Sequence, residues 1–370
     1  MVMKKNILVI DDSALMRRVI CDIISSDEKF VVEDIARDGV EALELLADKR
    51  YDAVVLDVNM PRMDGLELLE KMQKLRVRAN VIMNSTLTKD GAVETIKALE
   101  LGAIDFVTKP DNFVAAKGND YKVRLLSTLS VATRIRRIHS VSKTQQESNA
   151  KGESITDIRK VERQSTVTLR RGNEVMGDKK NKIIALACST GGPKSLQSVI
   201  PKLPAELPFP MLVVQHMPPG FTQSLAERLN DVSKINVKEA AEGDVLEAGW
   251  VYIAPGGKHM QVRNVRGQSK IVLTDEPPRE GVKPCANYMY ESLAESSYDE
   301  VICVVMTGMG ADGTKGIQNL DKRKKTYVIS QDEKSCVVYG MPKAIAETGL
   351  VDQVVPLDKI AETILKNLGV

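Results

Sequence analysis

Residues 4–24 read KKNILVIDDSALMRRVICDII and contain, in order, the pattern of a buried strand and that of an amphipathic helix. The apolar run 7–10 has the length of a strand buried on both faces, whereas the apolar residues between positions 15 and 24 recur at helical spacing. Further strand-like apolar runs follow at 53–56, 81–83 and 104–107. This alternation predicts a parallel sheet with helices on both of its faces.

Length and composition set limits on the class of protein. The chain has 370 residues, of which 43% are apolar and 28% are charged, so we expect two globular domains and no disordered chain. A net charge of +2 and an aromatic content of 4% give no support for nucleic-acid binding. No apolar run approaches the roughly 20 residues that span a bilayer, and acidic residues come too early for a signal peptide. We therefore expect no membrane insertion. The five cysteines are scattered and odd in number, which indicates a reduced, cytoplasmic protein.

The chain divides at a polar stretch. Residues 140–180 contain no aromatic residue and many Ser, Thr, Gln and Asn, which predicts a flexible linker. Strand and helix patterns resume after it, so the expected organisation is an α/β domain at 1–125, a helix end and linker at 126–180, and a second, doubly wound α/β domain at 181–370. The strands predicted for this second domain are 183–188, 211–216, 250–255, 270–275, 301–306 and 326–330, and its predicted helices are 193–203, 220–230, 286–296 and 313–320.

The ends of the first domain's strands carry charged residues. Asp11 and Asp12 follow the first strand, Asp57 ends the third, and Lys109 follows the last. Ligands gather at this edge of a parallel sheet, and a single Asp there is more often a helix cap. Two carboxylates about 4 Å apart repel by roughly 4 kcal/mol at an effective dielectric of 20, so a cluster of three favours a bound Mg²⁺. Such a site could accept a phosphoryl group on Asp57.

The second domain carries a different pattern, CSTGGP at 188–193, in which an apolar strand runs into the start of a helix. Ser189 would lie near the free N–H groups of a helix N-terminus, which favour negative charge, and this is a plausible position for a nucleophile. Helix-capping serines and phosphate-binding glycine loops have similar sequences, so the motif alone does not decide between these roles. A general base for Ser189 would be His216 or His259, and Asp312 in a glycine-rich turn could orient the imidazole. The order Ser, His, Asp differs from that of the α/β-hydrolases.

The first domain resembles the receiver domain of bacterial response regulators over roughly residues 4–125, through the motifs IDDS, LDVNMPRMDG, VIMNS and FVTKP. The resemblance implies a flavodoxin-like five-stranded parallel sheet, phosphorylation of Asp57 by a histidine kinase, and a cis Lys109–Pro110 bond. It makes Ser85, Phe106 and Lys109 the residues that respond to the phosphoryl group. It assigns Mg²⁺ to Asp11, Asp12, Asp57 and the carbonyl of Asn59.

Residues 181–370 resemble the catalytic domain of the protein-glutamate methylesterases of bacterial chemotaxis, through CSTGGP, VVQHMPPGFTQSLAERLN, VYIAPGGKHM, TGMGADG and VVYGMPKAI. The resemblance implies Ser189 as nucleophile, His216 as general base and acid, and Asp312 as its orienting group. It further implies the Met309 N–H as oxyanion donor and no cofactor at the hydrolase site. The implied substrates are glutamyl methyl esters of chemoreceptors, with deamidation of glutamines by the same attack.

Several features depart from the family pattern or leave alternatives open. Cys188 stands where a small residue is usual, which we interpret as packing. The stretch 282–287, VKPCAN, is unusual and bears on substrate contacts and rate. His259 lies in a glycine turn that could border the cleft. A non-catalytic, ligand-sensing output module and a small-molecule esterase or amidase controlled by the receiver are the alternatives. For the methylesterase, we expect the unphosphorylated receiver to cover the cleft and phosphorylation to loosen that interface.

Overall fold

The structure is a computed structural model that describes residues 3–110, 119–135 and 181–370. The predicted linker at 140–180 lies outside these ranges. Within them, no helix combines the length and the apolar character that crossing a membrane requires.

The N-terminal domain is built on a five-stranded parallel sheet in the order β2-β1-β3-β4-β5. Both faces are buried, because Ile7 and Val9 of the first strand pack in one apolar cluster while Leu8 and Ile10 pack in another. Its elements are β1 (Lys5–Ile10), α1 (Ala14–Ser25), β2 (Phe30–Ala36), α2 (Gly39–Asp48), β3 (Ala53–Asp57), α3 (Gly65–Lys74), β4 (Val81–Ser85), α4 (Lys89–Glu100), β5 (Asp105–Thr108) and α5 (Asn119–Ala132).

The C-terminal domain contains a seven-stranded parallel sheet in the order β14-β13-β12-β6-β7-β9-β8, together with a separate hairpin of β10 and β11. Its strands are β6 (Lys182–Cys188), β7 (Met211–Gln215), β8 (Asn236–Glu239), β9 (Trp250–Ile253), β10 (His259–Val265), β11 (Gln268–Thr274), β12 (Glu300–Val305), β13 (Lys325–Gln331) and β14 (Gln353–Val355). Its helices are α6 (Gly192–Val199), α7 (Phe221–Val232), α8 (Ala286–Ser292), α9 (Thr314–Asp321), α10 (Met341–Ala346) and α11 (Ile360–Leu368).

Both predicted fold classes are confirmed, and two details are corrected. The run 270–275 forms a strand, but this strand pairs antiparallel with β10 and does not join the main sheet. The Lys109–Pro110 bond, expected to be cis, is not, so that prediction is wrong; a cis bond lies instead at Lys283–Pro284. The two forms of an X–Pro bond differ by only about 0.5–1 kcal/mol, so the local sequence does not decide between them.

The two domains pack against each other through α4 and β5 of the first. Helix α4 contacts α6 and α7 of the C-terminal domain. Phe106 of β5 stacks on Phe221 at the start of α7, with ring centroids 4.7 Å apart and planes inclined by 13°. Val337 of the C-terminal domain packs against the apolar cluster of the N-terminal domain. The receiver-like domain therefore lies beside the loops that end β6 and β7.

Candidate functional site

The three predicted acidic residues of the N-terminal domain do come together. Asp11 and Asp57 are buried, Asp12 is exposed, and one carboxylate oxygen from each lies within 4.8 Å of the others. The Lys109 Nζ lies 3.0 Å from the Asp11 carboxylate and 2.6 Å from that of Asp57. One ammonium leaves two negative charges uncompensated, and an all-oxygen donor set of this charge fits a hard divalent cation such as Mg²⁺.

The protonation of Asp57 is affected by its surroundings. Burial and the neighbouring charge of Asp11 raise its pKa to about 6, although the Lys109 ammonium acts in the opposite direction. Asn59, two residues beyond Asp57, is exposed, and its side-chain amide donates a hydrogen bond to Glu94 at 3.2 Å. The structure therefore keeps Asp57 close to Lys109 and leaves the Asn59 side chain exposed.

Ser85 and Phe106 both contact elements of the domain interface. The Ser85 hydroxyl donates to the carbonyl of Gly91 at 3.0 Å and accepts a hydrogen bond from Thr95 at 2.7 Å. Gly91 and Thr95 belong to α4, the helix that contacts the C-terminal domain. Because Phe106 stacks across the interface, both predicted response residues contact elements that form that interface.

The second candidate site lies at the adjacent ends of β6 and β7. Half-buried Ser189 follows β6, and its N–H donates to the carbonyl of Thr307 at 3.0 Å. His216 follows β7, and its N–H donates to the carbonyl of Cys188, the neighbour of Ser189, at 3.2 Å. Gly191 caps α6 with a φ of +77°, a left-handed conformation that favours glycine. The sheet thus brings Ser189 and His216 to the same edge.

His216 and Asp312 form a buried pair. The imidazole Nε2 lies 2.8 Å from Asp312 Oδ2, and the two side chains are only 10% and 4% exposed. Burial by itself would raise the pKa of Asp312, but hydrogen bonds from His216, Cys285 and the Ala286 N–H outweigh it and hold that pKa below its usual value. Asp312 is therefore a carboxylate at neutral pH and can stabilise a protonated imidazole.

Ser189 Oγ makes no hydrogen bond to His216 among the described residues, which leaves the second ring nitrogen available. Such bonds are often long in enzymes without substrate and shorten in the complex. Gly308 packs so closely that a Cβ there would lie 2.8 Å from that of Ser189, and it sets the next peptide beside the serine. The N–H of Met309 in that peptide has no hydrogen-bond partner in the described part of the chain, as a donor to a substrate oxygen would require.

His259, the other candidate base, lies apart from this pair. Its ring is fully buried, contacts Tyr288 with centroids 4.5 Å apart, and hydrogen-bonds the carbonyl of Pro277 at 3.2 Å. Of the two histidines that the sequence left open, His216 is the one that the structure pairs with Asp312.

Sequence reasoning missed Gln215, which is buried at the end of β7. Its Nε2 donates to the carbonyls of Ser189 and His216, each at 3.1 Å, and its Oε1 accepts from the Cys188 thiol at 3.1 Å. A buried polar residue directly before His216 was the signal that could have found it. Gln215 therefore hydrogen-bonds both of the loops that carry Ser189 and His216.

The interface with the N-terminal domain reaches this second site. Burial raises the pKa of Asp105 in β5, partly offset by a hydrogen bond with Thr190, the residue after Ser189. A cavity between the domains is bordered by Gly191 and Val337 on one side and by Leu101 and Ile104 on the other. The N-terminal domain therefore contacts the Ser189 loop directly.

Comparison with known proteins finds two families along the chain. Residues 184–364 match the CheB methylesterase family, and residues 7–116 match the response regulator receiver domain. A protein-glutamate methylesterase/protein-glutamine glutaminase of Pyrococcus horikoshii is 44% identical over 98% of this chain and 93% of its own length. One of Syntrophomonas wolfei is 40% identical over 99% of both chains. The CheB methylesterase catalytic domain of Thermotoga maritima is 42% identical, covering 50% of this chain and 98% of its own, with a TM-score of 0.49.

Proposed function

The chain belongs to the family of CheB protein-glutamate methylesterases with a receiver domain, and from this premise we propose that it hydrolyses glutamyl γ-methyl esters on the cytoplasmic helices of methyl-accepting chemoreceptors. The observation that supports this most is the buried His216–Asp312 pair beside Ser189, in a chain related to such enzymes over 98% of its length. The products are methanol and a glutamate side chain. This reaction would reverse receptor methylation and so give sensory adaptation in chemotaxis.

In the proposed reaction, Ser189 Oγ attacks the ester carbonyl while His216 accepts its proton. Asp312 stabilises the imidazolium and keeps its orientation. The Met309 N–H donates to the oxygen that becomes negatively charged in the tetrahedral intermediate. His216 then returns the proton to the leaving methoxide, and a water molecule hydrolyses the acyl-enzyme by the same steps.

Deamidation of glutamine follows from the same sequence of steps. Ser189 attacks the side-chain amide, and the tetrahedral intermediate carries an amine in place of a methoxy group. Because an amine leaves less readily, His216 must protonate its nitrogen before the C–N bond breaks. The products are ammonia and glutamate, and this chain's relatives carry the name glutaminase beside methylesterase.

The N-terminal domain is proposed to take a phosphoryl group on Asp57 from a chemotaxis histidine kinase. Asp11, Asp12, Asp57 and the Asn59 carbonyl would hold Mg²⁺, which when bound supplies positive charge for the phosphoryl oxygens. Lys109, already 2.6 Å from Asp57, supplies a further positive charge. Substrates and phosphodonor of this kind are cytoplasmic, so we propose the same location for this protein.

Phosphorylation is proposed to activate the enzyme by loosening the domain interface. Ser85 would leave its hydrogen bonds to α4 and follow the phosphoryl group, and Phe106 would move from its stack on Phe221. Both changes act on elements that contact the C-terminal domain. Release of Asp105 from Thr190 would then open the approach to Ser189.

The test is methanol release from methylated receptor membranes by the full-length chain, with and without a phosphodonor and Mg²⁺. Wild type should release methanol and should be faster with the phosphodonor, while Ser189→Ala should keep only a small residual rate. A small activated ester is assayed in parallel. Rapid hydrolysis of that ester with no methanol from receptors would favour a small-molecule esterase, and no hydrolysis of either would favour a non-catalytic module.

A further inference from the structure

The Asp312 carboxylate accepts hydrogen bonds on both of its oxygens. Oδ2 faces the His216 imidazole at 2.8 Å, and the thiol of Cys285 donates to Oδ1 from 3.0 Å. Apart from this thiol and the imidazole, no side chain in the described ranges hydrogen-bonds the carboxylate. The remaining donors are the backbone N–H groups of Ala286 at 2.6 Å, Asn287 at 3.0 Å and Gly313 at 2.8 Å.

We propose that Cys285 is a positioning residue for the hydrolase site: its thiol holds Oδ1 of Asp312, so that Oδ2 stays directed at His216. The inference rests on the proposed function, since it assigns a role in the same site. Cys285 does not touch substrate in this scheme and acts through Asp312 alone. It lies in the unusual stretch 282–287, which thereby contributes to catalysis.

The protonation state of Cys285 suits this role. Burial and the nearby charge of Asp312 raise the pKa of the thiol to about 12, so it keeps its proton at neutral pH and can donate it in a hydrogen bond. A thiolate at 3.0 Å from a buried carboxylate would repel it. The thiol is a weaker donor than a hydroxyl, yet it donates to a carboxylate that is only 4% exposed.

The other ionisable groups near the pair do not take over this role. Burial raises the pKa of Tyr290 well above its usual value, so it remains neutral, and its hydroxyl donates to backbone carbonyls of Ala185 and Val304. Glu291 is bound by Arg279 through two hydrogen bonds of 2.7 and 2.9 Å. A change at Cys285 therefore reaches His216 through Asp312.

The test compares Cys285→Ala with Cys285→Ser, two side chains of similar volume of which only serine can donate. Cys285→Ser should keep kcat within about twofold of wild type. Cys285→Ala should lower kcat about fivefold with KM unchanged, because Asp312 loses one anchor. With fewer donors to Asp312, more of the carboxylate charge acts on the His216 imidazolium, which should raise the pKa of His216 in Cys285→Ala. The acid limb of the variant's pH–rate profile should therefore move up by about 0.5 pH unit.

Cys303→Ala is the matched control, since this thiol is equally buried but lies in β12, where its one hydrogen-bond partner among the described residues is the carbonyl of Val301, at 3.9 Å. It should leave kcat and the pH profile unchanged. Equal losses in Cys285→Ala and Cys285→Ser, with the wild-type pH profile in both, would mean that Cys285 only fills space.

A second measurement separates this inference from the proposed function. The imidazole of His216 is titrated by NMR in the full-length chain, with its signal assigned by its loss in His216→Gln. A titration shifted in Cys285→Ala but not in Cys285→Ser supports the positioning role even if no methanol is released from receptors. Identical titrations in wild type and both variants overturn it, whatever the substrate proves to be.

Discussion

Removing the carboxylate of Glu100 should activate the unphosphorylated enzyme. Glu100 is the last residue of α4 in the N-terminal domain, and it accepts three hydrogen bonds from the C-terminal domain. Arg228 donates two of them, at 2.6 and 3.2 Å, and Gln197 donates the third, at 2.9 Å. Glu100→Ala deletes all three without touching the acidic cluster or the hydrolase site.

The expected size of the effect follows from the exposure of these groups. The Arg228 side chain is 45% exposed, so its ion pair with Glu100 contributes at most about 1 kcal/mol. With the hydrogen bond from Gln197, we expect about 1.5 kcal/mol for the three contacts. That is roughly a tenfold change in the ratio of closed to open forms, so an enzyme about 99% closed would become about tenfold more active.

The assay is methanol release from methylated receptor membranes by the unphosphorylated full-length chain. Arg228→Ala should activate by a similar factor, and the double variant should be little faster than either single variant. With phosphodonor present, all of them should match wild type. Glu70→Ala is the control, because the ion pair of Glu70 with Lys97 is also exposed but lies within the N-terminal domain. Unchanged basal activity in Glu100→Ala would refute the idea that this contact helps to hold the enzyme closed.

Three further predictions concern the two sites and the contact between them. Asp57→Asn should take up no phosphoryl group from acetyl phosphate and Mg²⁺, whereas wild type should gain one that is stable in acid and labile in base; equal labelling would contradict this. Ser189→Ala/His216→Ala should release methanol little more slowly than either single variant, because triad members act as one unit, while Cys188→Ala should lose far less activity. Asp105→Asn should lower basal activity. Because burial raises the pKa of the Asp105 carboxyl, protonated Asp105 favours the closed form of the enzyme. This contribution is fully present below the usual pKa of an aspartate and is lost as pH rises through the raised pKa. Wild-type basal activity should therefore rise across that acidic range relative to Asp105→Asn, and parallel profiles would rule out this contribution.

The sequence predicted most of the fold because the parallel strands are buried on both faces and stand out as apolar runs. The edge strands β8 and β14 and the helices α10 and α11 were not predicted; the two strands and α10 are short and carry little periodic pattern. Strand β11 was predicted as a strand, but its partner was not, because pairing in a hairpin depends on the neighbouring β10 and not on its own residues.

The candidate site residues were predictable where they follow buried strands. Asp57, Ser189 and His216 all lie at carboxyl ends of strands, which a parallel sheet brings to one edge. Contacts between distant parts of the chain left no such signal. The Cys285–Asp312 hydrogen bond joins residues 27 positions apart, and the Phe106–Phe221 stack joins different domains.

The interface between the domains has the properties that a switch of this kind requires. Its identified contacts include the Phe106–Phe221 stack, the packing of Val337 and the partly exposed ion pair of Arg228 with Glu100, and the stack and the ion pair each contribute about 1 kcal/mol. A covalent connection between the domains supplies a high effective concentration, so weak contacts suffice to keep them together. A much stronger interface would not respond, since a phosphoryl group can shift the equilibrium only by its different interaction with the two forms. Because Thr190 is the neighbour of Ser189, we expect a small separation at β5 to free the loop that carries the proposed nucleophile. The proposed control therefore needs no rearrangement of His216 and Asp312, because these two residues are buried and paired within the C-terminal domain.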